Sequence, residues 1–547
     1  MSTKQKKKYL IYSILLTSIF TAFAQANAAP NDAGAELNRI RQQIEQEKIH
    51  KDIQQKRDSS SQVEGAMNKA QGEQMSSLKF TLKQIETTPS VVLSTAELEH
   101  ISVAYINKEI QIQDLYTIVE DINKLYQTKG FNTCQAFLKP QTIKNGKVYI
   151  ELIEGKTLNI NVQGNNSTNK SYIINRVHLK KGDVANISQL NKDLLRFNAT
   201  NDIQLRVALQ PGAEFGTTDY IITAQEPQKS VFGIFSDNAG SKTSGILRGG
   251  FFWQNKSLFG NRDNLTLTSV LSEGNKSFMT SYAFPVSHNG NKLGLTYSTN
   301  SVHIIDGPLE PLNVTGHSYA LGVSFTKPLV TAEKVKSEIG VEYGYQKSKT
   351  DFSGKHWVDD TIQGITLFYD KLNYGRNTVF YQKHAYKFGT AKNISSNSSN
   401  FGKYNFNTLW QQTYSANQIF SVRLDGQFSQ NNYLPSAEQF YIGGAYSVRG
   451  YSESLLSGDG GIVGSLEYAF PISSNKQTNL YFFFDGGRVW GASSFDDKTL
   501  ASVGLGIKSR INNNMYFNLG MGVPLVRKLN NAEQNSARLH FTFNSQF

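Results

Sequence analysis

Arg449 and Asp485 are the residues of this chain whose surroundings most require a chemical partner. Arg449 stands in Tyr446-Ser447-Val448-Arg449-Gly450-Tyr451, where Gly450 permits a tight turn and the two tyrosines can pack. Asp485 interrupts the aromatic run Tyr481-Phe482-Phe483-Phe484 and is followed by Gly486-Gly487. A carboxylate on such a strand is costly to bury alone, so it faces water or a cation, and an arginine on an inward-pointing loop is its natural partner. A partly wet pair of this kind contributes about 1 to 3 kcal/mol, enough to bias a loop but not to fold a domain. The competing reading is a surface turn with Arg449 in solvent.

Catalysis finds no comparable grouping. There is no Gly-x-Ser-x-Gly elbow and no Ser/His pairing to supply a nucleophile and its base, so no catalytic residue is expected. The nine histidines are dispersed and none joins a cysteine at metal-ligand spacing, so neither a metal nor another cofactor is expected. The single cysteine, Cys134, has no internal disulfide partner and reads as a small packed residue at the start of a strand, with a reactive thiol as the alternative.

These residues must be positioned by something larger. Lys4, Lys6, Lys7 and Lys8 precede the apolar run Leu10 to Phe23, then Ala26-Asn27-Ala28, a pattern that predicts a cleaved secretory signal over residues 1–28. Losing its four lysines lowers the formal charge of +12, and the remaining Lys and Arg are scattered, which argues against nucleic acid as a partner. No later stretch is apolar enough for a membrane helix, yet alternating strands leave hydropathy low, so a membrane barrel stays open. The content of 44 Gly, 26 Tyr and 33 Phe suits one.

Residues 29–58 are helix-prone and charged nearly all round, with Leu37, Ile40 and Ile44 as a thin stripe beside Arg39, Arg41 and Glu45. Such a helix needs a wet environment. Residues 59–77, rich in Ser, Gln and Gly, read as a flexible linker that could extend to roughly 60 Å. Two modules of order β-α-α-β-β follow, over 78–155 and 156–228. In the first, Ser94 to Glu97 is a capping box, and Leu115, Ile118, Val119, Ile122 and Tyr126 make one helical face that Gly130 ends. Small mixed modules leave a sheet edge able to accept a strand from another chain.

From residue 229 onward apolar residues stand two apart: Tyr319, Leu321, Val323, Phe325; Ile339, Val341, Tyr343, Tyr345; Ile462, Leu466, Tyr468, Phe470; Met515, Phe517, Leu519, Met521, Val523. Small or polar residues between them suit the lumen face of a barrel. The chain ends on the alternation Leu539, Phe541, Phe543, Ser545, Phe547.

Val448-Arg449-Gly450-Tyr451 followed by Phe483-x-Asp485-x-Gly487 resembles the signature pair of the outer-membrane transporters that include two-partner secretion transporters and barrel-assembly insertases. Leu434-Pro435-Ser436-Ala437-Glu438-Gln439-Phe440-Tyr441-Ile442-Gly443-Gly444 is similar to the two-partner secretion branch, the hemolysin activators and filamentous-adhesin transporters. Gly130-Phe131 through Leu138, Pro140 and Gln141 resembles the first polypeptide-transport-associated (POTRA) domain of that branch, and the terminal Phe547 its barrel-recognition signal, with Ser545 departing from the usual apolar residue.

The resemblance implies a transmembrane β-barrel of about 16 antiparallel strands over 229–547, two periplasmic α+β POTRA domains, and an N-terminal helix that plugs the lumen. It implies that a loop near 441–460 folds inward and that Asp485 holds Arg449. The implied function is export of one large β-helical exoprotein, an adhesin, hemolysin or contact-dependent inhibition toxin, through a monomeric barrel in outer-membrane lipid. The POTRA domains would capture its N-terminal secretion domain, and periplasmic chaperones are further candidate partners. The alternatives are a barrel-assembly insertase, which shares both motifs but carries more POTRA domains and lacks the helix and linker, and an outer-membrane enzyme or passive porin, for which the motifs are coincidence.

Overall fold

A computed structural model describes residues 32–54, 63–64, 79–332, 334–395, 397–430, 434–491, 499–512, 514–529 and 532–547. The expected signal segment, residues 1–28, and the linker 59–77 apart from 63–64 lie outside the described residues.

Sixteen antiparallel strands, from Ser230–Asp237 to Arg538–Gln546, close into one barrel. The period-two pattern explains why. In the pair Thr315–Ala332 and Val335–Phe352, Leu321 and Tyr343 point out at half exposure while Ala320, Gln346 and Ser348 are buried on the lumen side. A closed ladder leaves no strand edge unpaired in hydrocarbon. Closure is weakest between the first and last strands, where the ladder runs only from Gly233↔Gln546 to Asp237↔Thr542. Phe547 extends that seam, exchanging backbone bonds with Phe232 and stacking its ring at 6.5 Å from that of Phe232.

Ahead of the barrel, the chain runs through α1 (Ala33–Gln54), β1 (Val63–Glu64), β2 (Lys79–Leu82), β3 (Gln84–Thr87), α2 (Thr95–Ser102), β4 (Lys108–Gln111), α3 (Ile112–Thr128), β5 (Cys134–Phe137) and β6 (Lys147–Glu154). The second module is β7 (Lys156–Gln163), α4 (Lys170–Ile174), α5 (Ile187–Thr200), β8 (Gln204–Pro211) and β9 (Thr217–Gln225). The first module departs from the simple expected order. Its opening strand divides at Lys83, whose N–H turns to Gly146 O at 2.8 Å, and the extra strand β4 pairs with β2 after a left-handed turn at Asn107. The linker is not wholly structureless either, since β1 lies parallel to Val207 and Ala208 of β8.

Both modules fold around their predicted helical faces. Leu115, Ile118, Val119, Ile122 and Tyr126 are buried against β5 and β6, and Leu190, Leu194 and Phe197 against β8 and β9. Ser94 and Glu97 form the reciprocal cap of α2. Burial raises the Cys134 thiol to about 12, so this cysteine packs rather than reacts. Gly130, at φ +88°, ends α3 and also accepts from Ile187 N at 2.7 Å, leaving no room for a Cβ beside Asn186 and Ser188. One glycine therefore joins the two modules.

The second module is bolted to the barrel. Arg262, on a turn between strands, donates through Nε to Asp202 at 2.9 Å and reaches Ser167 at 3.2 Å, while Asn169 N bonds Gly260 O at 2.8 Å. Arg176 and Arg196 add bonds to Ser287 and Asn289 of the next turn. Asp202→Asn removes a charge-assisted pair of about 1.5 to 3 kcal/mol. Limited proteolysis between this module and the barrel is expected to accelerate several-fold while the heat-modifiable barrel band is unchanged.

Candidate functional site

The loop between strands Ile419–Ser429 and Gly460–Pro471 folds into the barrel and carries its arginine to the wall. In strand Thr478–Trp490, Tyr481, Phe483, Asp485, Gly487 and Val489 share the inward face, and Phe482 and Phe484 point outward. Arg449 Nε donates to Asp485 Oδ2 at 2.7 Å, Nη2 to Oδ1 at 2.8 Å, and its backbone N to Oδ2 at 3.0 Å. The guanidinium lies 3.6 Å from the centre of the Phe483 ring. Asp485 is fully buried while the Arg449 side chain stays 14% exposed on the lumen side, so the pair is closed around the carboxylate and partly wet at the guanidinium, and removing Arg449 leaves a buried carboxylate unpaired at a cost of about 3 to 5 kcal/mol.

The rest of the tip is held as closely. Val448 is fully buried and would meet any side chain added at Gly487. Gly450, at φ +93°, presses on Gly522, and a Cβ there would lie 2.9 Å from the Gly522 carbonyl carbon. Tyr451 is buried and donates to Ala501 O at 2.8 Å while accepting from Val526 N at 3.1 Å.

Four participants were missed from sequence. Glu467 accepts from Arg449 Nη1 at 2.9 Å and is paired with Lys508; Ser465 bridges Arg449 and Asp485; His540 Nε2 accepts from Gly450 N at 3.0 Å. Glu467, a lone acid within Leu466-Glu467-Tyr468-Ala469-Phe470, carries the same signal as Asp485 and could have been found by it.

The N-terminal helix α1 lies inside the barrel, and its 22 residues reach about 33 Å. Leu37 and Ile40 are buried and Ile44 half-buried. The polar face is used throughout: Arg39 pairs with Glu36 within the helix, Arg41 lies 3.9 Å from Glu342, and Glu45 pairs with Lys383. Asp32 accepts from Ser348 at 2.7 Å and from Ser436, Asn38 donates to Ala437 O at 2.6 Å, and Tyr446 of the inward loop donates to Glu47. Helix and loop are thus in direct contact.

The first-module motif lies far from the loop tip. Phe131 and Leu138 pack on that module's core, Pro140 is exposed, and the Gln141 side chain exchanges two 2.7 Å bonds with the backbone of Tyr149.

Comparison with known proteins agrees with this architecture. The family described as haemolysin secretion/activation protein ShlB/FhaC/HecB matches residues 216–509, and the ShlB-type POTRA domain matches residues 80–155. The chain is 22% identical over 554 residues to the heme/hemopexin transporter protein HuxB of Haemophilus influenzae, covering 96% of this chain and 97% of that protein. It is 23% identical over 472 residues to the outer membrane transporter CdiB of Dickeya dadantii, covering 79% and 81%. The structure of CdiB from Acinetobacter baumannii shares the fold, with a TM-score of 0.65 at 20% identity over 94% of this chain and 99% of that one. BamA from Haemophilus ducreyi lacking POTRA domains 1–3 shares it more distantly, with a TM-score of 0.51 at 15% identity over 86% and 100%.

The chain belongs to the ShlB/FhaC/HecB family of outer-membrane secretion transporters. Its barrel sits in the outer membrane with the POTRA region in the periplasm, and it translocates a partner protein.

Arg449→Lys keeps the charge but loses the planar fork, so it does not restore the clasp. Asp485→Asn leaves the guanidinium without its carboxylate. Both are expected to expose residues 441–460 to external protease at least about tenfold faster, a loss of roughly 1.4 kcal/mol or more, with barrel level unchanged. Unchanged protection would show that the loop is held by its other contacts.

Proposed function

We propose that this chain exports a single large exoprotein from periplasm to cell surface without ATP, with Arg449 and Asp485 holding the inward loop in its resting position. The clasp carries the reading: a bidentate ion pair with a fully buried carboxylate joins a loop to the wall of a pore that a polar helix also fills. In this scheme residues 1–28 direct secretion and are removed, 29–58 form the plug, 59–77 link it to the POTRA domains 78–155 and 156–228, and 229–547 form the pore.

Strand addition to a module edge is the mode of capture. In the second module the sheet order is β1-β8-β9-β7, so the linker's own Val63–Glu64 occupies the β8 edge, and an incoming strand at that place displaces it. Pulling on the linker in turn draws on α1, whose ion pairs with the wall, Arg41 with Glu342 and Glu45 with Lys383, are partly exposed. The plug departs, the chain threads past the Arg449 loop, and folding outside makes backsliding unfavourable. Relatives described as a heme/hemopexin transporter, an outer membrane transporter CdiB and a hemolysin transporter support a partner-protein cargo, which in this scheme is a large β-helical adhesin, hemolysin or contact-dependent inhibition toxin.

Deletion of the gene is expected to remove one large surface exoprotein while other outer-membrane barrels keep their levels, as read by quantitative proteomics. A general fall in barrels would make this an insertase, and no change in either would end the export reading. Removing residues 33–54 is expected to raise single-channel conductance several-fold in planar bilayers. Unchanged conductance would show that the helix does not obstruct the pore.

A further inference from the structure

We propose that the lumen cavity beside the plug helix carries, on the part of its wall formed by the last two strands of the barrel, a docking site for an extended, unfolded polypeptide segment, entered while the plug is still in place. The proposal rests on the export reading and adds a first contact inside the pore. The cavity has a volume of about 610 Å³, within the range of sites that enclose a small ligand and enough for a few residues of extended chain.

Its wall offers amides. Asn514, Asn518, Thr542, Asn544 and Gln546 line it, facing Gln46 and Glu47 of α1. The register sets Tyr516 beside Asn544 and Asn518 beside Thr542, and Gln546 N bonds Asn514 O at 2.8 Å, so the rungs follow one another up from the periplasmic rim. The next inward residue above Thr542 is His540, the acceptor for Gly450 at the loop tip. The track therefore leads from the rim to the clasp.

The chemistry suits a backbone rather than a particular side chain. Residues two apart on one strand face repeat at about 6.6 to 6.8 Å, which is also the repeat of peptide groups along one edge of an extended chain. An Asn or Gln amide both donates and accepts, so it can pair with a peptide group whatever the sequence. Among the described residues, side-chain amides are used in that way at three places. Gln141 holds N and O of Tyr149, Asn123 holds those of Ala136 at 2.7 and 3.3 Å, and Asn198 those of Leu205 at 2.7 and 3.1 Å. In each case one side-chain amide takes the place of a neighbouring strand.

The test fixes the plug first. A Cβ built on Gly34 lies 3.0 Å from Ser348 Cβ, close to the roughly 3.5 to 4.5 Å of a disulfide, so Gly34→Cys with Ser348→Cys tethers the helix. In the purified, tethered full chain, a short unstructured Gly/Ser/Thr peptide carrying a thiol-reactive group is offered to Asn544→Cys or to Thr296→Cys on strand Lys292–His303 across the plug. Buried Cys134 stays unlabelled. Labelling is expected to favour Asn544→Cys by at least about tenfold, and Asn514→Leu with Gln546→Leu to reduce it by about tenfold while the barrel band is intact. Equal labelling at the two positions, or unchanged labelling in the leucine variant, overturns the proposal. If deletion of the gene costs the cell no exoprotein, the export reading fails instead, whatever the peptide does.

Discussion

A guanidinium enclosed within a barrel has to be met by carboxylates, and the pore is arranged around meeting that one charge. Asp485 takes the Nε–Nη2 edge of Arg449, Glu467 takes Nη1, Lys508 balances Glu467, and the Phe483 ring covers the guanidinium face. Two cations and two anions leave the cluster neutral, which lets it be buried without displacing protons. Because the acceptors sit on neighbouring strands and the donor on a loop, the same cluster fixes where the loop ends. Gly450 and Tyr451 can then pack on Gly522 and Val526, contacts possible at one depth of insertion only.

The loop is also held at its root. Glu438 is buried between Lys387 and Lys403, and Lys403 donates to the Glu438 carbonyl at 2.9 Å. Leu434 N donates to Asp459 Oδ1 at 2.7 Å, closing the two limbs of the loop on each other. The plug helix touches this root at Ser436 and Ala437 and the tip region at Tyr446. Helix and loop are therefore neighbours along the whole lumen, and movement of either is felt by the other through named bonds.

How much of this was legible depended on whether a pattern repeats. The alternating stretches such as Tyr319 to Phe325 and Ile339 to Tyr345, the capping box at Ser94 and the α3 stripe from Leu115 to Tyr126 are patterned signals, and the structure follows them, whereas the count of sixteen strands came from the resemblance. The Arg449 and Asp485 motifs stood out because a charge among aromatics is costly. Glu467 was equally marked but stands one to a strand without a motif around it. His540, Arg262 and Asp202 could not be read, since their roles come from which turns the barrel brings against the loop and the second module. Gly130 showed its helix-ending role but not its place in the joint between modules. The full burial of Asp485 was also hidden, because the loop itself makes it. Val63–Glu64 reads as linker by composition and becomes a strand only because β8 offers an edge.

The direct test of the clasp as the organising interaction is a double-mutant cycle. Arg449→Ala, Asp485→Ala and the double variant would be compared for export of the partner exoprotein at equal barrel levels. If the buried pair acts as a unit, each single change removes most export and the double change is no worse than either, a coupling of about 2 to 3 kcal/mol. Losses that multiply in the double variant would mean that Arg449 and Asp485 act separately, and would contradict the account.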